Sequence, residues 1–567
     1  MDAVRNDRCV KLYSELLPTL GDYVTKHAKE RPNDIAIVEA NTDEKVTWKD
    51  FETKTNAFAA KLLSLGLKKG DVIATSLPML KEHVFLEYAC FKIGIIFAPF
   101  DLRLKTNEIK RDFDKIKPKA YFFLGNTPVN DFRPMVKEVM EHAQLYCKIW
   151  VQFQKEKDQI IDGAVGIVDF ASDIKKTFIM ALLTGKLRRA RKKVAKRDPC
   201  LIIFTTGSTG APKPALLCHE NILIQNIGLA VAFNLVTSDI MLVNLPPSHV
   251  GCQTEQLMTT IYGGGISCLL HIFDPIKSLE AIAKYQVTCI GQIPALFAME
   301  WRLPNYNQYN LSSLRFAIYG GQAVDHPFLE KLFAMCGTAG TGLGLTETAG
   351  FCTYSPLDGT IEDILAGVGF DMPLCPISIR EPMQASGMAG KEVTSGAVGE
   401  VCFSGPQIFL GYLGDDENTA KTISKDGFCY TGDLGSYDEK GLHFAGRSKL
   451  VIKPKGYQVF PTEVENFITD SIKEKISATA CVGVPHEVFT EGIMAFVEMK
   501  PNVQLSIAEI KEKLKDIAAY KRPSHIIIME AGEMPLNRVA KTDYMVLKEK
   551  AIEEIKKLRA SGGWDAN

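Results

Sequence analysis

Apolar and polar positions over the first ~150 residues alternate between two periods. Residues 34–40 (DIAIVEA) form a short, mostly apolar run of strand type. Thr47 then stands as N-cap before Trp48-Lys49-Asp50, and Phe51, Phe58, Leu62 and Leu65 are spaced to share one helical face before Gly66 stops it. Residues 71–77 (DVIATSL) return to the strand pattern, and a second helical stretch runs through Leu86 and Phe91. Strand, helix and strand in this order predict a parallel sheet covered on both faces.

The rhythm breaks over about residues 150–198. This stretch holds the apolar run Phe178-Ile179-Met180-Ala181-Leu182-Leu183 and ends in 186–197, where eight of twelve residues are basic. A basic amphipathic helix can lie on an anionic membrane surface, so peripheral membrane contact through 178–197 is one expectation. The same charge can attract a polyphosphate ligand. The plainer reading is a solvated insertion joining two halves of one domain.

From Leu201 the βα rhythm resumes, with short strands expected at 288–293, 315–319 and 400–404. The last ~118 residues read as a separate α+β unit. Ser506 and Glu509 make a capping box, Ile507, Ile510, Leu514 and Ile517 share a face, and 493–499 and 525–529 are strand-like. The expected fold class is α/β. A large N-terminal domain, 1–447, has parallel sheets covered by helices and carries the 150–198 insertion. A small α+β C-terminal domain spans 448–567.

Composition removes several classes of function. Over 567 residues, Lys+Arg 66 against Asp+Glu 67 leaves a net charge of −1, which excludes a protein built overall as a polycation for nucleic acid. The 14 cysteines stand singly, without a C-x-x-C pair. They read as small hydrophobes in a reducing compartment, not as a disulfide framework or zinc site. No uncharged apolar stretch approaches the length of a membrane span, and the expected location is cytoplasmic.

Candidate chemistry begins where the apolar run 201–204 enters Thr205-Thr206-Gly207-Ser208-Thr209-Gly210-Ala211-Pro212-Lys213-Pro214. Glycines let backbone N–H groups approach phosphate oxygens, hydroxyls add donors, and Lys213 adds charge. No G-K-[ST] follows at the spacing of a Walker loop.

The order T-T-G-S-T-G-x-P-K resembles the signature loop of the adenylate-forming superfamily, which includes acyl-CoA synthetases, luciferases and nonribosomal peptide adenylation domains. Further matches follow in the family's order. They are Gly342-Leu343-Gly344-Leu345-Thr346-Glu347-Thr348, Tyr430-Thr431-Gly432-Asp433-Leu434, and Gly446-Arg447-Ser448-Lys449 continuing through Lys453, Lys455-Gly456-Tyr457-Gln458-Val459 and Pro461-Thr462-Glu463-Val464-Glu465. The last is 535–541, ending in Lys541. The resemblance runs from about residue 20 to 550 and is nearest to AMP-forming acyl-CoA ligases of fatty-acid or 4-coumarate type. It implies a mobile C-terminal domain with the active site between the two domains. The implied reaction has two halves: a carboxylate attacks the α-phosphate of ATP to give acyl-AMP and pyrophosphate, and CoA then displaces AMP. ATP, Mg²⁺ and CoA are the implied small molecules, with a carboxylic acid as substrate.

The resemblance also distributes roles. Thr205, Thr206, Gly207, Ser208, Thr209, Gly210 and Lys213 hold the β- and γ-phosphates. Gly320, Gly321, Gln322, Gly342, Leu343, Gly344 and Leu345 wall the nucleotide site. Thr346 contacts the α-phosphate and Glu347 binds Mg²⁺. Asp433 accepts the ribose hydroxyls beside Arg447, and Lys453 and Gln458 add polar contacts. Lys449 is the hinge, and Lys455, Gly456 and Tyr457 face the CoA channel. Lys541 steadies charge in adenylation. His249 lines the acyl pocket with Val250, Gln253, Gly320 and Gly342, and Gln253 and Glu255 can add polarity there. The chain departs from the family pattern at Pro214, Leu343, Leu450, Ala540 and Tyr544. Two other readings stay open: an acyl-AMP ligase that loads a carrier-protein thiol, and a catalytically weak acyl-nucleotide or lipid-binding protein on this fold.

Overall fold

In a computed structural model the alternation resolves into strands and crossover helices. The structure describes residues 3–205, 212–447, 450–452, 454, 459–487, 490–537, 541–560 and 563–564. The strands of the first two-thirds are β1 (Ile35–Glu39), β2 (Glu44–Thr47), β3 (Val72–Ser76), β4 (Ile96–Pro99), β5 (Ala120–Leu124), β6 (Ile149–Phe153) and β7 (Val165–Gly166). They continue with β8 (Pro199–Phe204), β9 (Pro214–Cys218), β10 (Ile240–Val243), β11 (Ile266–Leu269), β12 (Cys289–Gln292), β13 (Phe316–Tyr319) and β14 (Ala339–Thr341).

Two seven-stranded sheets result. One runs β7-β6-β5-β3-β4-β8-β9, the other β14-β13-β12-β10-β11-β1-β2. Only the edge hairpins β8–β9 and β1–β2 pair antiparallel; the other recorded pairings are parallel. Helices cover both faces, so inner strands such as β3 are buried at every position.

Local signals act as expected at several points. The Thr47 hydroxyl accepts the Asp50 N–H and opens the helix Trp48–Ser64. Phe51, Phe58 and Leu62 are buried, but Leu65 is not part of that face. The helix ends at Ser64, Leu65 is its C-cap, and Gly66 turns the chain at φ +86°. The break expected from about 150 starts later, because β6 continues the sheet in register with β5. The helices Ile167–Ala171, Ile174–Leu183 and Lys186–Arg191 then carry the chain toward β8.

Packing groups the described residues into two units. One holds the chain up to Thr205 with Pro212–Ile377 and Phe403–Cys429; the other holds Ser378–Cys402 and everything described from Tyr430 onward. This differs from a first domain running to 447. The four-stranded sheet of Ile377–Arg380, Gly399–Phe403, Cys429–Asp438 and Gly441–Arg447 goes with the C-terminal part. Thr462 ties the two together by donating to the Ala445 carbonyl at 2.8 Å. The rest of that unit is a three-stranded sheet of Ile476–His486, Thr490–Met499 and His525–Met529, packed with the helices Pro461–Ser471, Ile507–Lys513 and Tyr544–Ala560. Ser506 and Glu509 form the capping box; Ile510 and Leu514 are buried, whereas Ile507, in the first turn, faces solvent.

None of the 14 cysteines is in a disulfide, and all but Cys336 are buried. Among the described residues no helix is long and apolar enough to cross a membrane. The first sheet's core centres on Phe113, fully buried, with ring centroids 5.1 Å from Tyr121 and 5.7 Å from Phe100. Phe113→Ala removes this centre and is expected to cost about 3–5 kcal/mol, read as an earlier midpoint in urea unfolding. An unchanged midpoint would contradict this packing.

Candidate active site

In the larger unit, the predicted site residues gather at the carboxyl ends of parallel strands. Thr205 follows β8, and Asp101, which the sequence does not single out, follows β4; these strands are parallel neighbours through Phe97 and Leu201. His249, Gly320 and Gly342 follow β10, β13 and β14 of the other sheet. In open α/β sheets this end is where ligands bind.

The ends of the Gly/Ser/Thr-rich loop are fixed by the β8–β9 hairpin. Thr205 N–H donates to the Lys213 carbonyl at 2.9 Å, and Lys213 N–H donates to Thr205 Oγ1 at 3.3 Å. Pro214 is the first residue of β9, a place where a strand tolerates a missing N–H. Thr206, Gly207, Ser208, Thr209 and Gly210 lie outside the described residues.

Glu347 sits in a 3₁₀ turn, Thr346–Thr348, held between the short paired strands Gly344–Leu345 and Gly350–Phe351. The Tyr412 hydroxyl donates to Glu347 Oε1 at 2.5 Å. Lys213 Nζ lies over the face of the same ring, 4.7 Å from its centroid. Burial raises the Tyr412 phenol above its ordinary range, and the Glu347 charge adds to the rise. Tyr412 therefore stays a donor and orients the carboxylate, with the Lys213 cation over its ring face. The sequence reading did not find Tyr412; it is 65 residues from Glu347, and only its place between Gly411 and Gly414 hinted at an exposed turn.

At three of the motif glycines the chain itself occupies the direction a side chain would take. A β-carbon on Gly320 would come within 2.9 Å of the Phe351 ring, and one on Gly344 within 2.8 Å. On Gly342 it would meet the Thr353 carbonyl oxygen at 2.2 Å. Leu343 is partly buried and pinned by its N–H to Thr353 Oγ1 at 2.7 Å. Leu345 and Thr346 are partly exposed, and Gly321 and Gln322 face solvent.

His249 caps the approach to a widened, π-type helix, Gly251–Met258, and its carbonyl accepts the Gln253 N–H at 3.0 Å. Its imidazole lies within electrostatic reach of Asp101. Burial pushes the Asp101 carboxyl up, but the Arg103 guanidinium outweighs burial and holds it below its usual range, with His249 acting in the same direction. Val250 is half-buried beside His249. Gln253 is fully buried, and neither atom of its amide has a hydrogen-bond partner among the described residues. Gln225, which the sequence reading missed, is also fully buried, with an unpartnered Nε2. A β-carbon on Gly350 would lie 2.9 Å from Glu255 Oε1 and 3.1 Å from this Nε2. Glu255 is pushed up to about 7 by burial, opposed only by a hydrogen bond from the Phe351 backbone. The helix from 251 thus brings unsatisfied polar groups beside the His249 turn.

In the smaller unit, Asp433 and Arg447 face each other across the pair Cys429–Asp438 and Gly441–Arg447. Arg447 Nε meets Asp433 Oδ1 at 2.9 Å, and Asp433 is buried. Lys541 lies near both. Burial and the Arg447 charge pull its amine below the ordinary lysine range, and Asp433 pulls the other way. Its backbone N–H donates to Asn537 Oδ1 at 3.1 Å. At a departing position, the Tyr544 hydroxyl donates to Glu465 Oε1 at 3.0 Å. Lys449, Lys453, Lys455, Gly456, Tyr457, Gln458 and Ala540 lie outside the described residues.

Glu255 gives a pH test of this burial. A carboxyl whose folded pKa, about 7, exceeds its unfolded 4.5 loses stability as pH rises from 4.5 to 7 and stays at that loss above. Glu255→Gln removes the term. The variant should match wild type near pH 5 and exceed it by up to ~3 kcal/mol at pH 8, measured as thermal midpoints across pH. Parallel pH profiles would refute the assignment.

Comparison with known proteins places this geometry in a family. The model described as "AMP-binding enzyme" matches residues 24–413, and that described as "AMP-binding enzyme C-terminal domain" matches 463–541. The medium-chain fatty-acid–CoA ligase of Escherichia coli is 25% identical over 554 residues, covering 95% of this chain and 91% of its own. The long-chain-fatty-acid–CoA ligase of Salmonella typhimurium is 26% identical over 531 residues, covering 90% and 91%. The fold is similar to ATP-bound MatB from Rhodopseudomonas palustris, with TM-score 0.76 at 23% identity over 94% of this chain and 98% of that one. With its model matched across the sheets that carry the site, the chain belongs to the AMP-binding enzyme family.

Proposed function

We propose that the protein is an AMP-forming carboxylic acid–CoA ligase. The observation that carries this reading is the Lys213–Tyr412–Glu347 arrangement, a cation and an oriented carboxylate at the end of the hydroxyl-rich loop. The first half-reaction brings two anions together, so it needs positive charge and positioning more than a protein nucleophile. Thr205, Lys213 and the loop between them bind the β- and γ-phosphates. Thr346 meets the α-phosphate.

Glu347 suits Mg²⁺, because a lone carboxylate with phosphate oxygens is the donor set that ion takes. Among the described residues no cluster of three or more His, Cys, Asp or Glu offers a fuller cage. When bound, the ion neutralises phosphate charge. Asp433, held by Arg447, accepts the ribose hydroxyls. Lys541 supplies the cation that stabilises the developing charge as the acid's oxygen bonds to the α-phosphorus and pyrophosphate leaves. CoA thiolate then attacks the acyl carbonyl and AMP departs. His249 and the helix behind it bind the acid. The hinge at Lys449, with the functional boundary after 447, the CoA-channel roles of Lys455, Gly456 and Tyr457, and the nucleotide contacts of Lys453 and Gln458 rest on the motif resemblance alone. The names of the fatty-acid–CoA ligase relatives support CoA as the thiol acceptor over a carrier protein.

Purified protein with MgATP and a panel of carboxylic acids, with and without CoA, tests this by mass spectrometry. Acyl-CoA with stoichiometric AMP is expected. Acyl-AMP that accumulates and ignores CoA would overturn the choice of acceptor, and absence of AMP with every acid would count against the ligase. Lys541→Ala should lower adenylation about 10²–10³-fold yet leave thioester formation from supplied acyl-AMP nearly intact. Glu347→Gln should lower adenylation by a similar factor and raise the Mg²⁺ concentration required. Equal losses in both half-reactions for Lys541→Ala would remove its assigned role.

A further inference from the structure

We propose that the face formed by the helices Ile174–Leu183 and Lys186–Arg191 docks on an anionic lipid bilayer. Residues 174–197 carry ten basic residues and no acidic one, in a chain whose net charge is −1. On the first helix, Lys175, Lys176, Ile179, Met180, Leu182 and Leu183 are all exposed, with Leu183 77% open to solvent. Steps of one, three and four residues put them on one side. Ala181 is buried on the other, where the helix packs on Trp48–Ser64. Exposed aliphatic side chains thus stand between two groups of cations.

The face is fixed to the unit beneath it. Lys61 pairs with Asp173 at 2.5 Å, Lys186 Nζ donates to the Leu63 carbonyl at 2.8 Å, and Arg191 reaches Asp22 at 3.1 Å and Glu52 at 3.4 Å. The side chains of Lys175, Lys176, Arg188, Arg189 and Lys192 have no hydrogen-bond or ion-pair partner among the described residues. A groove of about 480 Å³ opens beside them, lined in part by Ala181, Leu182, Leu187, Arg188, Lys192 and Val194.

The chemistry selects the partner. A ten-residue helix is too short to span a bilayer, which needs about 20 residues, and so lies in the interfacial plane. Its aliphatic residues enter the headgroup boundary while the flanking cations meet anionic headgroups. A nucleic acid uses the cations and leaves the leucines in water. A second copy of the chain brings the same charges against themselves.

The test is flotation of the full-length protein with vesicles of phosphatidylcholine alone or of phosphatidylcholine and phosphatidylserine at 7:3. Binding to the mixed vesicles, weakened at 0.5 M salt and absent from the neutral ones, is expected. Each Lys or Arg contributes about fivefold near such a surface, so Arg188→Ser/Arg189→Ser/Lys192→Ser should bind about 100-fold more weakly. Leu182→Asp/Leu183→Asp should also lose binding, although every cation remains. All five side chains are exposed, so circular dichroism and turnover of a water-soluble acid should match wild type and exclude misfolding. Equal flotation with both vesicles, flotation with neither, or a leucine variant that binds like wild type would overturn the proposal. The last result is that of a surface for polyanions such as nucleic acid.

Discussion

A parallel strand cannot join its neighbour through a tight turn. The chain must cross back over the sheet before it enters the next strand. In both seven-stranded sheets this puts the carboxyl ends of the parallel strands at the same edge. Asp101, His249, Gly320 and Gly342 leave from such ends, and Thr205 leaves β8 there through the β8–β9 hairpin. Burial on both faces fixes the strands, and the loops inherit their positions. A residue can then change its chemistry at the edge without disturbing what holds the edge in place.

Within each unit, neighbours and not residue type distinguish one carboxylate from another. Glu347 accepts from a phenol whose ring carries the Lys213 cation over its face. Asp433 is buried, but against a guanidinium. Glu255 is packed beside amides and apolar groups and is pushed toward neutrality. Burial favours the uncharged form, and at Glu255 no opposite charge offsets it.

Much of this was legible before any coordinates. Thr47 and the Ser506–Glu509 pair mark helix starts by local hydrogen bonding alone, and alternating periods read the βαβ order. Leu65 misled because periodicity does not know where a helix ends; the glycine that follows it decided. Thirteen of the fourteen cysteines are buried thiols, in keeping with their single spacing along the chain. Tyr412, Gln225 and Asp101 were not legible as site neighbours. Tyr412 meets Glu347, Gln225 lies beside Gly350 and Asp101 faces His249, each from a distant segment, and nothing local distinguishes them from any other tyrosine, glutamine or aspartate. The grouping of 378–402 with the C-terminal part was hidden for the same reason, since strand pairing across a long loop leaves no periodic trace. Gly320 and Gly342 stand out in the motifs, but only the positions of Phe351 and Thr353 show what lies in their Cβ directions.

That occupancy constrains how the site can change over generations. Of the three motif glycines, Gly342 and Gly344 meet backbone, which no single exchange elsewhere will move. Gly320 meets only the ring of Phe351. A larger residue at 320 therefore becomes acceptable only after 351 has shrunk, and the reverse order passes through a clash. Descendants that reshape this wall must take the two steps in one sequence, so the ring at 351 acts as a gate on the order of its history.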